Sequence, residues 1–208
     1  MQELTTPTPR PLHGTPAHDP HATATGVTNT KLAMWLFLSS DCLFFGAFIS
    51  AYLLYRGRSE DPPFPDDVYN IPFTSVTSFI LLMSSLTMVL ALAAIQRGDY
   101  RRLRIWLLAT ALFGSTFIAG QVFEFTEFYR EGLTLSSSIF GSTFFVLTGL
   151  HGAHVTAGII WLVSLWGLAV QGRLTSRDSE RVEIAGLYWH FVDVVWIVIF
   201  TVVYLIPK

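Results

Sequence analysis

Five long apolar stretches, separated by short polar breaks, set the pattern of this chain. A helix needs about 20 consecutive apolar residues to cross the hydrocarbon core of a bilayer, and each stretch is near or above that length. The pattern therefore predicts an all-α polytopic membrane protein, a bundle of five transmembrane helices. The predicted helices cover residues 32–55, 72–95, 103–128, 139–170 and 184–206.

Residues 1–30 differ from the rest of the chain because they are rich in Thr, Pro, Ala and His and have no hydrophobic periodicity. Such a composition is typical of a disordered segment. We therefore expect a disordered tail over residues 1–30, followed by one transmembrane domain over residues 31–208.

The lysine and arginine residues are distributed unevenly between the two sides of the predicted bundle. The tail and the second and fourth breaks, which lie on one side, hold nine of the 13 Lys and Arg residues. Cytoplasmic loops of membrane proteins carry an excess of these residues. The sequence therefore predicts a cytoplasmic N-terminus and a C-terminus on the outer side of the membrane.

Composition supports the same class of protein. Of the 208 residues, 51% are hydrophobic and 13% are charged, whereas a soluble domain has roughly 25% charged residues. A net charge of −2 gives no support for a nucleic-acid partner. The single cysteine, Cys42, lies inside an apolar run, and we expect it to be a small buried residue rather than a reactive thiol.

Ionisable residues occur in four of the five predicted helices, and the second helix carries only Ser and Thr. A charged side chain near the bilayer centre costs about 2.5–3.5 kcal/mol on insertion scales, so it normally faces protein or water. His190 and Asp193 are three residues apart and share a helix face, as do His151 and His154. The predicted buried polar network consists of Asp41, Gln121, Glu124, His151, His154, Trp189, His190 and Asp193.

Three interpretations of this network stay open. Its members could satisfy one another and fix the packing of the helices. They could instead bind lipid, or they could bind and release protons, since histidine changes its charge near neutral pH. They could also bind a metal ion, but dimetal helix bundles use a Glu-x-x-His repeat on two helices, and the sequence has none. We therefore predict no catalytic residue, no directly bound cofactor and no metal site.

The fourth predicted helix also carries a ladder of small residues, Gly149, Ala153 and Ala157, at spacings of four. Small residues let membrane helices approach closely. This ladder lies on a different edge from His151 and Gly158, so we expect the helix to contact two neighbours through two edges.

Several stretches resemble one family. Residues 140–155, FGSTFFVLTGLHGAHV, and residues 188–196, YWHFVDVVW, closely resemble the two signature stretches of subunit III of haem-copper terminal oxidases. Residues 121–125, QVFEF, resemble the Gln-x-x-Glu-aromatic step of that family, and residues 37–45, FLSSDCLFF, resemble its first signature helix. The resemblance runs in order over residues 31–208.

The resemblance implies a non-catalytic accessory subunit of an aerobic respiratory cytochrome c oxidase, a proton-pumping enzyme of the bacterial inner membrane. Such a subunit binds no haem or copper itself, since these lie in partner subunits. It stabilises subunit I, holds structural phospholipid and supports proton uptake. The implied partners are subunit I directly, subunit II, a small subunit IV, membrane lipids, and cytochrome c through the complex.

Other functions remain as alternatives: subunit III of a quinol oxidase, an accessory protein of a nitric oxide reductase, or an independent ion transporter. The electron donor docks on subunit II, so this sequence does not identify it. Transporters typically have inverted repeats and broken helices, which are not evident here. The chain also departs from the family pattern, with Asp41 where glutamate is usual and without the first two of the seven helices of longer members.

Overall fold

The computed structural model describes residues 28–55, 71–132, 134 and 139–206. In these ranges the chain is helical, and five helices are long and apolar enough to span a membrane. The predicted all-α bundle of five transmembrane helices is confirmed. The helices are α1 (Asn29–Tyr55), α2 (Ile71–Gln96), α3 (Tyr100–Arg130), α4 (Ile139–Val170) and α5 (Ser179–Phe200).

Helices α3 and α5 begin three and five residues earlier than the apolar pattern predicts, because polar residues form their first turns. At the start of α3, Asp99 accepts a hydrogen bond from the backbone N–H of Arg102 at 3.0 Å, which caps the helix. Before α5, the backbone N–H of Thr175 donates to Asp178 at 3.1 Å in a short 3₁₀ turn, Ser176–Asp178. Hydrophobicity alone does not detect such polar first turns.

The ends of the other elements also differ slightly from the prediction. Most of the predicted tail lies outside the described residues, but Asn29 already belongs to α1. At the other end, α5 continues into a π-helical segment, Thr201–Leu205, which closes with a bond from the backbone N–H of Ile206 to the carbonyl of Thr201 at 3.1 Å.

Tight turns join α2 to α3 and lead from α4 towards α5. Gly98 and Gly172 have φ values of 73° and 72°, a left-handed conformation that favours glycine just after a helix end. The backbone N–H of Asp99 donates to the carbonyl of Ala94 at 2.9 Å, so α2 and α3 form a closely connected hairpin.

The helices pack unevenly. The α2–α3 hairpin packs on α4 through α3 and on α5 through α2, and α4 also packs on α5. Helix α1 lies at the periphery, where its principal contacts are with α4 and α5. It buries only Leu38, Asp41, Phe45 and Tyr52, which form one narrow stripe.

Three polar contacts bring the starts of α1, α3 and α5 to one end of the bundle. Lys31 forms an ion pair with Glu183 at 2.8 Å, and Thr28 donates a hydrogen bond to Glu180. The Tyr100 hydroxyl lies 3.2 Å from the hydroxyl of Ser176. The two arginine-rich breaks therefore share one end with the start of α1, and the assignment of that end to the cytoplasm stays a prediction.

Candidate functional site

The hydroxyl groups of α2 bind the indole groups of α5. Trp189 Nε1 donates to Ser84 Oγ at 2.8 Å, and Trp196 Nε1 donates to Ser78 Oγ at 2.8 Å. Both serines are buried, and an unpaired buried indole N–H would destabilise the chain. These two bonds therefore fix the register of α5 along α2.

A third hydroxyl of α2 joins His190 and Asp193. Ser85 donates a hydrogen bond to Asp193 Oδ2, and its Oγ lies 3.0 Å from His190 Nδ1. Asp193 is only 3% exposed, whereas His190 is half-buried. The other carboxylate oxygen, Oδ1, is buried and has no hydrogen-bond partner among the described residues. The two residues therefore form one polar patch, centred on Ser85, at the edge between α2 and α5.

Gln121 and Glu124, one turn apart on α3, bind two different helices. Gln121 Nε2 donates to the backbone carbonyl of Thr148 on α4 at 2.7 Å, while Thr74 on α2 donates to Glu124. Gly152 makes room for the amide, because a Cβ there would lie 2.7 Å from Gln121 Oε1. These bonds join α2, α3 and α4 across the core.

Asp41 and His154 form a separate pair between α1 and α4. Asp41 Oδ2 lies 3.6 Å from His154 Nε2, which is an ionic contact and too long for a hydrogen bond. His154 Nδ1 lies 2.8 Å from the carbonyl of Leu150, which can only accept, so Nδ1 carries a hydrogen. One further proton, on Nε2 or on the carboxyl group, makes the contact attractive. The pair therefore joins α1 to α4 through an ionic contact rather than a hydrogen bond.

His151 lies entirely within the core. It is 0% exposed and stacks on Trp196 with ring centroids 4.8 Å apart, and it meets Phe117 edge-on at 5.9 Å. Neither ring nitrogen has a hydrogen-bond partner in the described ranges. Although His151 and His154 are one turn apart, the His151 ring packs on α3 and α5, whereas the His154 ring meets Asp41 and Phe45 on α1. The structure thus divides the predicted network into separate contacts.

Trp189 is one of the largest buried side chains among the described residues. A Cβ on Gly114 of α3 would lie 2.6 Å from its indole, and a Cβ on Gly158 of α4 would lie 2.8 Å from it. The ring therefore fits between two glycines while its N–H binds α2. The structure places Trp189 as a packing residue that contacts three neighbouring helices.

The small-residue ladder of α4 faces away from the other helices that the structure describes. Ala153 and Ala157 are exposed, and a Cβ added at Gly149 would meet nothing within 4 Å in the described structure. This edge is open within the described residues, so its contact with a neighbour stays a prediction. Close approach instead uses Gly152 and Gly158, which face the bulky side chains of α3 and α5.

Two further predictions concern cysteine and metal. Cys42 is exposed, so its assignment as a buried residue is wrong, because it lies one position beyond the narrow stripe that α1 buries. Within the part of the chain that the structure describes, no three His, Cys, Asp or Glu residues form a group that could hold a metal ion. The absence of a metal or cofactor site stays a prediction.

Comparison with known proteins decides the family. The model of the family described as cytochrome c oxidase subunit III matches residues 15–207. The chain belongs to this family. The resemblance carried by residues 140–155 and 188–196 is therefore confirmed.

Individual relatives of this subunit III chain have different printed names. It is 37% identical over 195 residues to cytochrome c oxidase subunit 3 of Alkalihalophilus pseudofirmus. The aligned region covers 92% of this chain and 93% of the relative. It is 37% identical over 174 residues to quinol oxidase subunit 3 of Bacillus subtilis, with 84% and 85% covered. It is 38% identical over 188 residues to cytochrome bo(3) ubiquinol oxidase subunit 3 of Pseudomonas aeruginosa, with 90% and 89% covered.

Sequence reasoning found the ionisable residues of this subunit III chain but did not assign their partners on α2. Thr74, Ser78 and Ser85 bind Glu124, Trp196 and the His190–Asp193 pair, respectively. A signal existed, because spacings of four and seven keep these three hydroxyls on one helix face. A stripe of hydroxyl groups on a helix without ionisable residues indicates that a neighbouring helix carries polar or ionisable side chains that bind these hydroxyls.

Proposed function

We propose that this chain is a non-catalytic accessory subunit of an aerobic respiratory cytochrome c oxidase in the bacterial inner membrane. In this role it binds subunit I directly, and subunit II and a small subunit IV complete the complex. Haems and copper lie in those partners, and cytochrome c binds through the complex. The chain itself stabilises subunit I, holds phospholipid and supports proton uptake.

The patch of Ser85, His190 and Asp193, in which Ser85 and His190 are half-buried and Asp193 is buried, carries this proposal. It lies in the middle of α2 and α5, at the level of lipid tails, which offer no hydrogen bonds. A polar patch at that depth normally faces protein. The patch is flanked by an exposed apolar surface, the α2–α5 face, formed by Leu82, Leu86, Val89, Val194, Ile197 and Val198.

Subunit I is the proposed occupant of the α2–α5 face. Membrane helices associate through close packing together with a few interhelical hydrogen bonds, and this face offers both. Contact there would cover His190 and give its ring a polar neighbour on the partner. The arrangement supports attachment to a larger protein.

The Asp41–His154 pair supports the proton and stability roles. His154 is 21% exposed and Asp41 is 12% exposed at the side chain, so the pair lies at the border between the bundle and its surroundings. A group placed there can exchange a proton with water or with a neighbouring subunit. The usual family glutamate would reach about one methylene farther than Asp41.

We expect Asp41→Ala to leave the initial turnover rate of the purified oxidase nearly unchanged and to shorten its active lifetime. Loss of the carboxylate removes the ionic partner of His154 and loosens α1 on α4. If the contact between α1 and α4 loses about 1 kcal/mol, the population in which α1 is detached from α4 rises about fivefold. The active lifetime should therefore fall by a similar factor. Oxygen consumption followed to exhaustion measures both quantities.

Asp41→Glu is the matched control, because it keeps the charge and restores the side chain usual in the family. It should retain the unmodified lifetime. A normal lifetime for Asp41→Ala would contradict the stabilising role, and an immediate loss of initial rate would indicate a direct part in turnover.

A quinol oxidase is the second candidate, because relatives named as quinol oxidase subunits are as similar as those named for cytochrome c. Purification of the intact complex tests the choice. A dinuclear copper centre and oxidation of cytochrome c would support the first proposal, and bound quinone without that centre would support the second. The nitric oxide reductase and transporter alternatives are not favoured by relatives that are named as oxidase subunits.

A further inference from the structure

One ring nitrogen on the α2–α5 face is open. His190 is half-buried and its Nδ1 lies 3.0 Å from Ser85 Oγ, whereas its Nε2 has no hydrogen-bond partner among the described residues. Ser85 is residue 15 of the 26 in α2, and His190 is residue 12 of the 22 in α5. The open nitrogen therefore lies near the middle of the membrane, where lipid tails offer no hydrogen bond.

The hydrogen of the Ser85 hydroxyl decides which form the ring takes. A hydroxyl group has a single hydrogen, and Ser85 donates it to Asp193 Oδ2. The contact between Ser85 Oγ and His190 Nδ1 is then a hydrogen bond only if the ring is its donor. The ring nitrogen that faces Ser85, Nδ1, therefore carries a hydrogen.

Neighbouring serines of α2 use their hydrogens differently. Ser78 and Ser84 donate to backbone carbonyls of their own helix, and each accepts an indole N–H from α5. Ser85 has no bond to the backbone of α2 in the described ranges, and both of its hydrogen bonds go to side chains of α5. Its hydrogen is therefore free to bind Asp193.

The charge on the His190 ring also follows from its surroundings. The ring forms no ion pair within the part of the chain that the structure describes, because Asp193 reaches it only through Ser85. A positive ring at this depth is costly, which favours the neutral form. A neutral ring with its hydrogen on Nδ1 has a lone pair on Nε2, which can only accept.

We infer that subunit I presents a hydrogen-bond donor to His190 Nε2. The inference rests on the proposed attachment of subunit I to the α2–α5 face, and it specifies the chemistry of that contact. An O–H or N–H group of a partner side chain, at the depth of His190, fits the lone pair, whereas a carbonyl or carboxylate oxygen would be repelled. Leu86, Val194 and Ile197 around the patch are exposed and apolar, so the donor lies in an otherwise apolar partner surface.

Nitrogen-15 NMR of the purified oxidase complex, with its histidines labelled, tests the form of the ring. The His190 resonances are those that disappear in the variant His190→Gln. We expect Nδ1 to carry a hydrogen and Nε2 to carry none. A hydrogen on Nε2, alone or together with one on Nδ1, would overturn the inference. The measurement uses the unmodified complex, so it stands even if a variant accumulates poorly.

Co-purification through a tag on subunit I tests the contact itself. His190→Phe keeps an aromatic ring and leaves the bond from Ser85 to Asp193, but it removes the acceptor. We expect association to weaken about tenfold, which corresponds to about 1.4 kcal/mol. The matched control is His190→Gln, whose amide oxygen can accept a hydrogen bond near the position of Nε2, and it should stay within about threefold of the unmodified chain.

Substitutions in subunit I locate the donor. Side chains with an O–H or N–H group in its membrane helices are replaced singly by apolar ones, with and without His190→Phe in this chain. Replacement of the donor should weaken association by itself and add little to the effect of His190→Phe. Additive losses at every position would overturn the inference, because no group of subunit I would then bind the ring.

The outcomes separate this inference from the proposed attachment. Each variant is compared at equal abundance of the chain in the membrane. Loss of subunit I from Asp193→Leu, with His190→Phe recovered at the unmodified yield, would keep the attachment and overturn the donor. Recovery of both variants at the unmodified yield would overturn the attachment, and the donor with it.

Discussion

Replacing Gly158 by leucine is expected to prevent accumulation of the folded chain. The first added carbon would lie 2.8 Å from the Trp189 indole, which is 1% exposed. The ring is confined on its other side by Gly114 and by its bond to Ser84, so it has no free space to enter. Overpacking a filled core costs about 1–3 kcal/mol for small additions, and leucine adds four heavy atoms, so we expect about 3 kcal/mol or more.

Gly149→Leu is the control, because it makes the same change on the same helix where nothing lies within 4 Å. It should leave the yield and thermal stability of the isolated chain nearly unchanged. Size-exclusion chromatography and thermal unfolding in detergent measure both. A second test pairs Gly158→Ala with Trp189→Phe, and the double variant should lose less stability than the two single losses added together. Equal damage at both glycines would contradict the role given to Trp189.

Replacing Asp193 by leucine is expected to release this subunit from subunit I. Leucine removes the carboxylate that accepts the Ser85 hydrogen bond and leaves Ser85 and His190 facing an apolar side chain. Unsatisfied buried polar groups cost about 1–3 kcal/mol each, so association should weaken by about fivefold to 150-fold. Co-purification through a tag on subunit I measures the loss, and the haem content of the remaining complex should change less.

The controls separate charge, hydrogen bonding and packing. Asp193→Asn keeps an acceptor for Ser85 and should retain most of the association. Val194→Leu changes only an exposed apolar position beside the patch, and it should have little effect. Recovery of Asp193→Leu with subunit I at the unmodified yield would refute the docking role of the α2–α5 face.

The helices could be predicted because a bilayer imposes a length and a polarity that the sequence displays directly. The prediction for α4 agrees with both observed ends, since hydrophobic residues continue to each of them. The starts of α3 and α5 were missed because Asp99 and Asp178 begin helices outside the apolar windows. The presence of a membrane-spanning helix thus follows from the average hydrophobicity of a segment, while the residues at which it begins and ends depend on individual hydrogen bonds.

The polar residues of the site could be predicted for a similar reason, since ionisable groups inside a membrane are rare. Their partners could not, because periodicity gives the face of one helix but not its rotation against the next. Gly149 and Gly158 illustrate this limit, as both are small residues of α4 and only Gly158 faces a large ring. Cys42 was misplaced in the same way, since nothing in its apolar run indicates how little of α1 is covered.

The peripheral position of α1 has a consequence for biosynthesis. Its main contacts, with α4 and α5, are with the last helices that the ribosome delivers. Asp41 meets His154 only after 113 further residues have been translated, whereas α2 and α3 can pair as soon as their hairpin is inserted. Until then α1 lacks its contacts with α4 and α5, and the Asp41 carboxyl group lacks His154. A nascent chain that stalls after α3 would keep that defect, which gives membrane quality-control proteases a feature by which to recognise it.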